Sequence, residues 1–103
     1  MCKDMTGELT SLATVSVAIQ AQKYATPADA VSAIGAVQKR IAGTNADAAS
    51  SKVNDLAVAF GAMLIAVQDF QTNVATQDAA KEAQVQTELQ QGDSAVRAAC
   101  AKH

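Results

Sequence analysis

The stretch VNDLAVAFGAMLIAVQDFQTNV, residues 53–74, carries the strongest periodic pattern in the chain. Its large apolar residues recur at alternating intervals of three and four positions, which is typical of one face of an α-helix. These residues are Val53, Leu56, Phe60, Met63, Val67, Phe70 and Val74. Three heptads of this spacing predict the central helix of a helical bundle, with Phe60 and Val67 nearly fully buried.

The composition of the whole chain also favours helices. Half of the 103 residues are hydrophobic, and 24 are alanine, whereas there are only two Phe, one Tyr and no Trp. Alanine has the highest helix propensity, and β-sheets favour branched and aromatic side chains instead. The length and composition predict one all-α domain that spans residues 1–103.

Two short stretches resemble each other and are typical of helix starts: TPADA, residues 26–30, and TNADA, residues 44–48. In each, the threonine can accept a backbone N–H as an N-cap, and an aspartate follows three positions later. Pro27 falls at the first helical position, where the missing N–H is not needed. We expect a helix to begin at each stretch.

These starts divide the chain into four predicted helices. The first runs from about Thr6 to Ala25, and the second from Pro27 to about Ala42. Gly43 is expected to be the left-handed cap that ends the second helix. The third begins after Thr44 and ends within residues 73–79, where Thr76-Gln77-Asp78 offers another cap. The fourth then continues to Cys100.

Three glycines fall inside the predicted helices. Gly35 and Gly61 lie where glycine is about 1 kcal/mol less favourable than alanine, so we expect another helix to pass close to them. That helix belongs either to the same chain or to a second copy. Gly92, in Gly92-Asp93-Ser94, is expected to kink or interrupt the fourth helix.

The two cysteines, Cys2 and Cys100, bear on the topology. An up-down-up-down bundle begins and ends at the same end of the molecule, and a disulfide needs Cα atoms within roughly 7 Å. The sequence therefore predicts an up-down-up-down four-helix bundle with its termini at the same end, tied by a Cys2–Cys100 disulfide. The alternatives are two unpaired thiols, or a lipid-modified Cys2, as in a bacterial lipoprotein, with Cys100 unpaired.

A disulfide that closes nearly the whole chain would stabilise the fold by about 4–5 kcal/mol in the loop-entropy model. The fourth helix is expected to depend on it, because its apolar stripe is sparse: Val85, Leu89 and Val96. Such a bond also implies secretion, the periplasm or the cell surface. The opening MCKDMTGEL lacks the apolar segment of a signal peptide, so Met1 is either the natural start or stands in place of a removed leader.

The two ends of the chain, CKDMTGELTSL at residues 2–12 and AVRAACA at residues 95–101, resemble small alanine-rich exported helical proteins of actinobacteria. Several of those proteins carry one cysteine near each end. The resemblance implies export and a helical bundle. It implies no activity and assigns no functional residue.

Several classes of function find no support in the sequence. The net charge of −2 and the scattered basic residues do not form the basic stripe of a nucleic-acid-binding protein. The longest apolar run, residues 56–67, rises only about 18 Å as a helix and is too short for a transmembrane segment. The only histidine is His103 at the chain end, and Asp55 and Asp69 lie about 21 Å apart along one helix. We predict no enzyme, no catalytic or metal-binding residue and no cofactor.

The sequence favours an exported, non-enzymatic helical bundle that acts through protein–protein contacts at the cell envelope, with an unknown protein or by self-association. The alternative is a carrier of a small apolar ligand, such as haem or lipid, within the bundle. Tyr24, Met63 and His103 are the conceivable haem ligands, although Met63 suits a core and Tyr24 a boundary position. An exposed apolar patch would favour the first function, and an enclosed cavity the second.

Overall fold

The periodic segment forms the third of four α-helices in the computed structural model, which describes residues 1–103. The chain folds as an up-down-up-down bundle without β-strands and measures 40 × 22 × 18 Å. A 3₁₀ turn at Ala79–Lys81 precedes the last helix. The helices are α1 (Cys2–Gln20), α2 (Pro27–Ser50), α3 (Asn54–Thr76) and α4 (Glu82–Cys100).

Helix α3 packs against both α2 and α4 through the predicted apolar stripe. Phe60 and Val67 have no exposed surface, as their central position in the pattern predicts. Leu56, Met63 and Phe70 are also buried, while Val53 and Val74 at the two ends are partly buried. The stripe therefore forms the centre of the hydrophobic core, as predicted.

The fourth helix is better anchored than its sparse stripe suggested. Its buried residues follow its whole length: Val85, Leu89, Gly92, Val96 and Ala99. Helix α1 is the more weakly held element, because it packs mainly on α2 and meets α4 at few positions. Its buried residues occupy only its first half: Met5, Glu8, Leu9 and Leu12.

Cys2 and Cys100 form a disulfide, with their Cα atoms 5.9 Å apart. The bond joins the first residue of α1 to the last residue of α4, so both chain ends lie at the same end of the bundle. The predicted pairing and topology are confirmed. The Sγ atom of Cys2 is engaged in this bond and is not available to carry a lipid.

The first two predicted helix boundaries need correction. Helix α1 begins at Cys2 and ends at Gln20, rather than extending from Thr6 to Ala25. Helix α2 continues through Gly43 and Thr44 to Ser50, so the predicted end near Ala42 and the predicted new start at Thr44 are wrong. The reason is that Thr44 does not cap a helix; it is buried in α2, and its hydroxyl bonds to Glu8 of α1.

The other predicted start and the last predicted turn are confirmed. Thr26 caps α2 by accepting the backbone N–H of Asp29 at 3.2 Å, and Pro27 is the first helical residue. The last reversal falls at Gln77, within the expected range, and Asp78 caps the following 3₁₀ turn.

The three reversals of the chain use no glycine. Each contains a residue in the left-handed region: Gln22 with φ 56°, Lys52 with φ 59° and Gln77 with φ 53°. No glycine of this chain has a positive φ, and Gly43 lies within a regular helix. None of the five glycines is therefore needed for a turn.

Gly92 is a point of close approach between α3 and α4. A Cβ atom there would lie 2.6 Å from the Sδ atom of Met63 and 3.4 Å from its Cα atom. Helix α4 continues unbroken through this residue, so the predicted interruption is wrong. The missing side chain allows Met63, itself buried, to pack directly against the α4 backbone.

Gly35 has a comparable role between α2 and α3. A Cβ atom there would lie 3.1 Å from the Nε2 atom of Gln71, which donates a hydrogen bond to the backbone carbonyl of Val31 at 3.1 Å. Gly61 is less crowded, because its nearest neighbour is the Asn45 side chain at 3.8 Å. Gly35 of α2 is therefore approached by α3 of the same chain, and Gly61 of α3 is approached by α2.

The glycines allow a matched pair of substitutions. Gly92→Ala should lower the free energy of unfolding by about 1–3 kcal/mol, because a methyl group would overlap the buried Met63. Gly43→Ala should raise it by about 0.5–1 kcal/mol, since nothing lies within 4 Å of a Cβ atom there and alanine is the better helix former. Chemical denaturation measures both. Equal stabilisation by the two changes would contradict the close contact at Gly92.

Reduction of the disulfide should loosen α1 before α4. The bond supplements the limited packing of α1, whereas α4 is held along its length by α3. Hydrogen exchange of the reduced protein, or of the Cys2→Ser/Cys100→Ser variant, should show faster exchange in α1 while α3 stays protected. If α4 exchanged first, the packing of α1 on α2 would be stronger than described.

Candidate functional site

An open cleft of about 390 Å³ lies at the end of the bundle away from the disulfide. It forms where the connection from α1 to α2 faces the connection from α3 to α4. The buried residues Ala30 and Phe70 contribute to its apolar wall. The other apolar residues that line it are Ile19, Tyr24, Ala25, Val74 and Ala79.

The polar part of the cleft consists mainly of neutral amides and carboxylates. The amide side chains are those of Gln20, Gln22, Asn73, Gln77 and Gln86, and the carboxylates are Asp78 and Glu82. The side-chain oxygen of Asn73 is buried and has no hydrogen-bond partner. One oxygen of Asp78 accepts the backbone N–H of Ala80 at 3.1 Å, which leaves the other available. No lysine or arginine lines the cleft.

A second candidate surface lies on the outer face of α3. Val58 is 73% exposed and Ile65 is 60% exposed, whereas the opposite face of the helix is buried. Ala62 is also exposed between them, and Gly61 is partly buried. Positions 58, 62 and 65 follow helical spacing, so Val58, Ala62 and Ile65 share one face. We call these three residues the outer stripe.

Acidic residues stand on α3 beyond each end of the outer stripe. At one end Asp55 lies 2.9 Å from the Nε2 atom of His103, and this hydrogen bond lowers the pKa of the Asp55 carboxyl. At the other end the Asp69 carboxylate raises the pKa of Glu88 on α4. Asp55 and Asp69 therefore each interact with a titratable group on another segment of the chain.

Glu8 and Thr44 form a buried polar pair between α1 and α2. The Thr44 hydroxyl donates to the Glu8 carboxylate, whose two oxygens lie 2.6 and 2.9 Å from it. Burial raises the pKa of Glu8, and the carboxylates of Asp4 and Asp47 raise it further. The Thr44 hydrogen bond and the charge of Arg40 oppose this shift. The pair links α1 to α2. No local sequence pattern predicts it, because the two residues are 36 positions apart.

The three conceivable haem ligands do not come together. Tyr24 lines the cleft, and Met63 is buried in the core against Gly92. His103 bonds to Asp55 at the start of α3, roughly 30 Å along that helix from the cleft. Tyr24, Met63 and His103 therefore do not form a common set of haem ligands. No group of three or more His, Cys, Asp and Glu side chains is arranged to hold a metal ion.

Comparison with known proteins provides no family assignment. No protein-family model, no curated protein and no solved structure matches the chain. None of the helices combines the length and the apolar character needed to cross a bilayer. A functional proposal must therefore start from the cleft and the outer stripe.

The raised pKa of Glu8 gives a test of the buried pair. A carboxyl with a higher pKa in the folded state contributes most to stability below its ordinary value of 4.5. It loses that contribution as the pH rises through its folded-state pKa. Glu8→Gln keeps an acceptor for Thr44 without the charge, so it should raise Tm at pH 7 and change it little at pH 4.

Thermal unfolding at both pH values measures the effect. Glu82→Gln, which removes an exposed carboxylate, is the matched control and should give no gain at pH 7. A Glu8→Gln variant that lost more stability at pH 7 than at pH 4 would show that the charged carboxylate stabilises the fold.

Proposed function

We propose that this protein is an exported helical bundle without enzymatic activity, which acts through protein–protein contacts at the cell envelope. The observation that carries the proposal is the outer stripe, where Val58 and Ile65 are 73% and 60% exposed. Burying apolar surface in an interface is favourable by a free energy of roughly 25 cal/mol per Å² removed from water. Contiguous exposed apolar residues with a polar margin are typical of contact surfaces.

The arrangement of side chains in the outer stripe suits a helical partner. Val58 and Ile65 stand two turns apart, which is the spacing of anchor residues in helix-to-helix recognition. Ala62 between them is small and exposed, so a second helix could approach the α3 backbone closely there. Asp55 and Asp69 would lie at the margin, where charged groups remain solvated.

The disulfide supports export. Bonds of this kind form and persist in secreted, periplasmic and cell-surface proteins, and the cytosol keeps thiols reduced. The polar pairs that include a carboxyl group support a non-enzymatic role, because each one links two segments of the fold. These pairs are Glu8 with Thr44, Asp55 with His103, and Asp69 with Glu88.

The second candidate function is a carrier of a small apolar ligand, and the cleft is the observation that favours it. Its volume of about 390 Å³ falls within the usual range of small-molecule sites, roughly 300–1,000 Å³. Tyr24, Phe70 and Val74 provide apolar lining beside polar amides. The cleft and the outer stripe lie in different parts of the molecule and can be tested separately.

Site-specific photo-crosslinking in intact cells that naturally make the protein tests the contact function. A photoreactive residue at position 58 or 65 should give a discrete crosslinked protein product. The same residue in place of Lys39, which is exposed on α2, should not give that product. The crosslinked protein should be recovered with its disulfide oxidised and outside the cytoplasm.

The outcomes separate the partners. A product of twice the chain mass would identify a second copy, and any other discrete mass would identify a different protein. Identical products from positions 39, 58 and 65, or no product at all, would overturn a contact role for the outer stripe.

A further inference from the structure

We propose that the cleft binds a small amphiphile with an apolar body and a cationic, hydrogen-bond-donating head, of which a primary alkylammonium ion is the simplest example. This inference rests on the carrier function, the second candidate above, and names its ligand class. It does not involve the outer stripe.

The cleft exists because α1 and α4 do not pack together along their lengths. They meet at few positions, including the Cys2–Cys100 pair at the opposite end of the bundle. Ser16, Ile19 and Gln20 of α1 therefore lie on one side of the cleft, and Glu82 and Gln86 of α4 on another. A ligand in this space would occupy the position of the missing contact between the two helices.

The apolar part of the cleft suits the body of such a ligand. Phe70 and Ala30 are buried core residues, and they continue into the partly buried Val74 and Ile19. Removing a chain of CH₂ groups from water against this wall is favourable, and each further CH₂ group that is buried adds to the affinity. The cleft is also open, so a chain can enter without unfolding the bundle.

The polar part of the cleft favours a ligand head group that donates hydrogen bonds. Asp78 and Glu82 bring carboxylate acceptors to the cleft, and the backbone N–H of Ala80 engages only one oxygen of Asp78. An ammonium or hydroxyl group could donate a hydrogen bond to these acceptors, whereas a carboxylate has no proton to donate.

The charges at the cleft favour a cationic donor, such as an ammonium group, over a neutral donor, such as a hydroxyl group. Asp78 and Glu82 line the cleft. Lys23 and Lys81, the lysines nearest in sequence to the residues of the cleft, do not line it. The ring of Tyr24 lines the same space, and aromatic faces attract cations. An ammonium head would thus meet two carboxylates and an aromatic ring, and a carboxylate head would be repelled.

Three probes of equal chain length separate these contributions: octylamine, octanol and octanoate. NMR shift titrations of the oxidised protein at pH 7 should show affinity in the order octylamine, octanol, octanoate, with about a tenfold or larger span between the first and the last. The shifts should centre on Tyr24, Phe70 and Val74. They should leave Val58 and Ile65 unchanged.

Matched variants test the parts of the site. Asp78→Asn/Glu82→Gln keeps an acceptor for the backbone N–H of Ala80 and should reduce the affinity for octylamine to that for octanol. Ala25→Trp, which fills the cleft from its exposed rim, should weaken all three probes, whereas Val58→Trp on the outer stripe should change none.

Two results would overturn the inference in distinguishable ways. Octanoate binding as tightly as octylamine, with no effect of Asp78→Asn/Glu82→Gln, would reject the cationic ligand class and leave a carrier function. Absence of shifts at the cleft with every probe, or shifts centred on Val58 and Ile65, would reject the carrier function itself.

Discussion

The packing of α3 against α2 and α4 is the interaction on which the rest of the structure depends. Phe60, Val67 and Met63 are almost completely buried, and each large apolar side chain stabilises the fold by about 1.5–3 kcal/mol relative to exposure. Two glycines set how closely the partners approach: Gly92 against Met63, and Gly35 beside Gln71. Helices α2, α3 and α4 thus form one closely packed unit.

Helix α1 is joined to this unit by other means. A disulfide holds its first residue, the Glu8–Thr44 pair ties its first half to α2, and Met5 fills the core beneath it. Its second half has no equivalent anchor, and Ile19 is only partly buried there. Because α1 and α4 have little contact, the disulfide is their main link at one end of the bundle, and the cleft stays open between them at the other end.

Both candidate surfaces arise from apolar residues that the core does not cover. Helix α3 has apolar side chains around much of its circumference, but its partners bury only one face, so Val58 and Ile65 remain in water. At the cleft, the partly buried Val74 and Ile19 extend the apolar surface beyond the core residue Phe70. A larger α1 contact would have buried the cleft but not the outer stripe, which points away from the core.

The sequence by itself determined the helical class, the core stripe of α3 and the start of α2 at Thr26 and Pro27, and it favoured closure of the chain by Cys2 and Cys100 over unpaired thiols. These features follow from local periodicity, from capping chemistry and from the requirement that bonded cysteines share one end. Only the tertiary structure decided that α2 continues through Gly43, because the partner of Thr44 is Glu8, 36 residues away. It also decided that Gly92 is a contact point rather than a break, and that residues from every helix meet at the cleft. Local patterns report the conformation of a segment, whereas these contacts depend on which distant side chains the folded chain brings together.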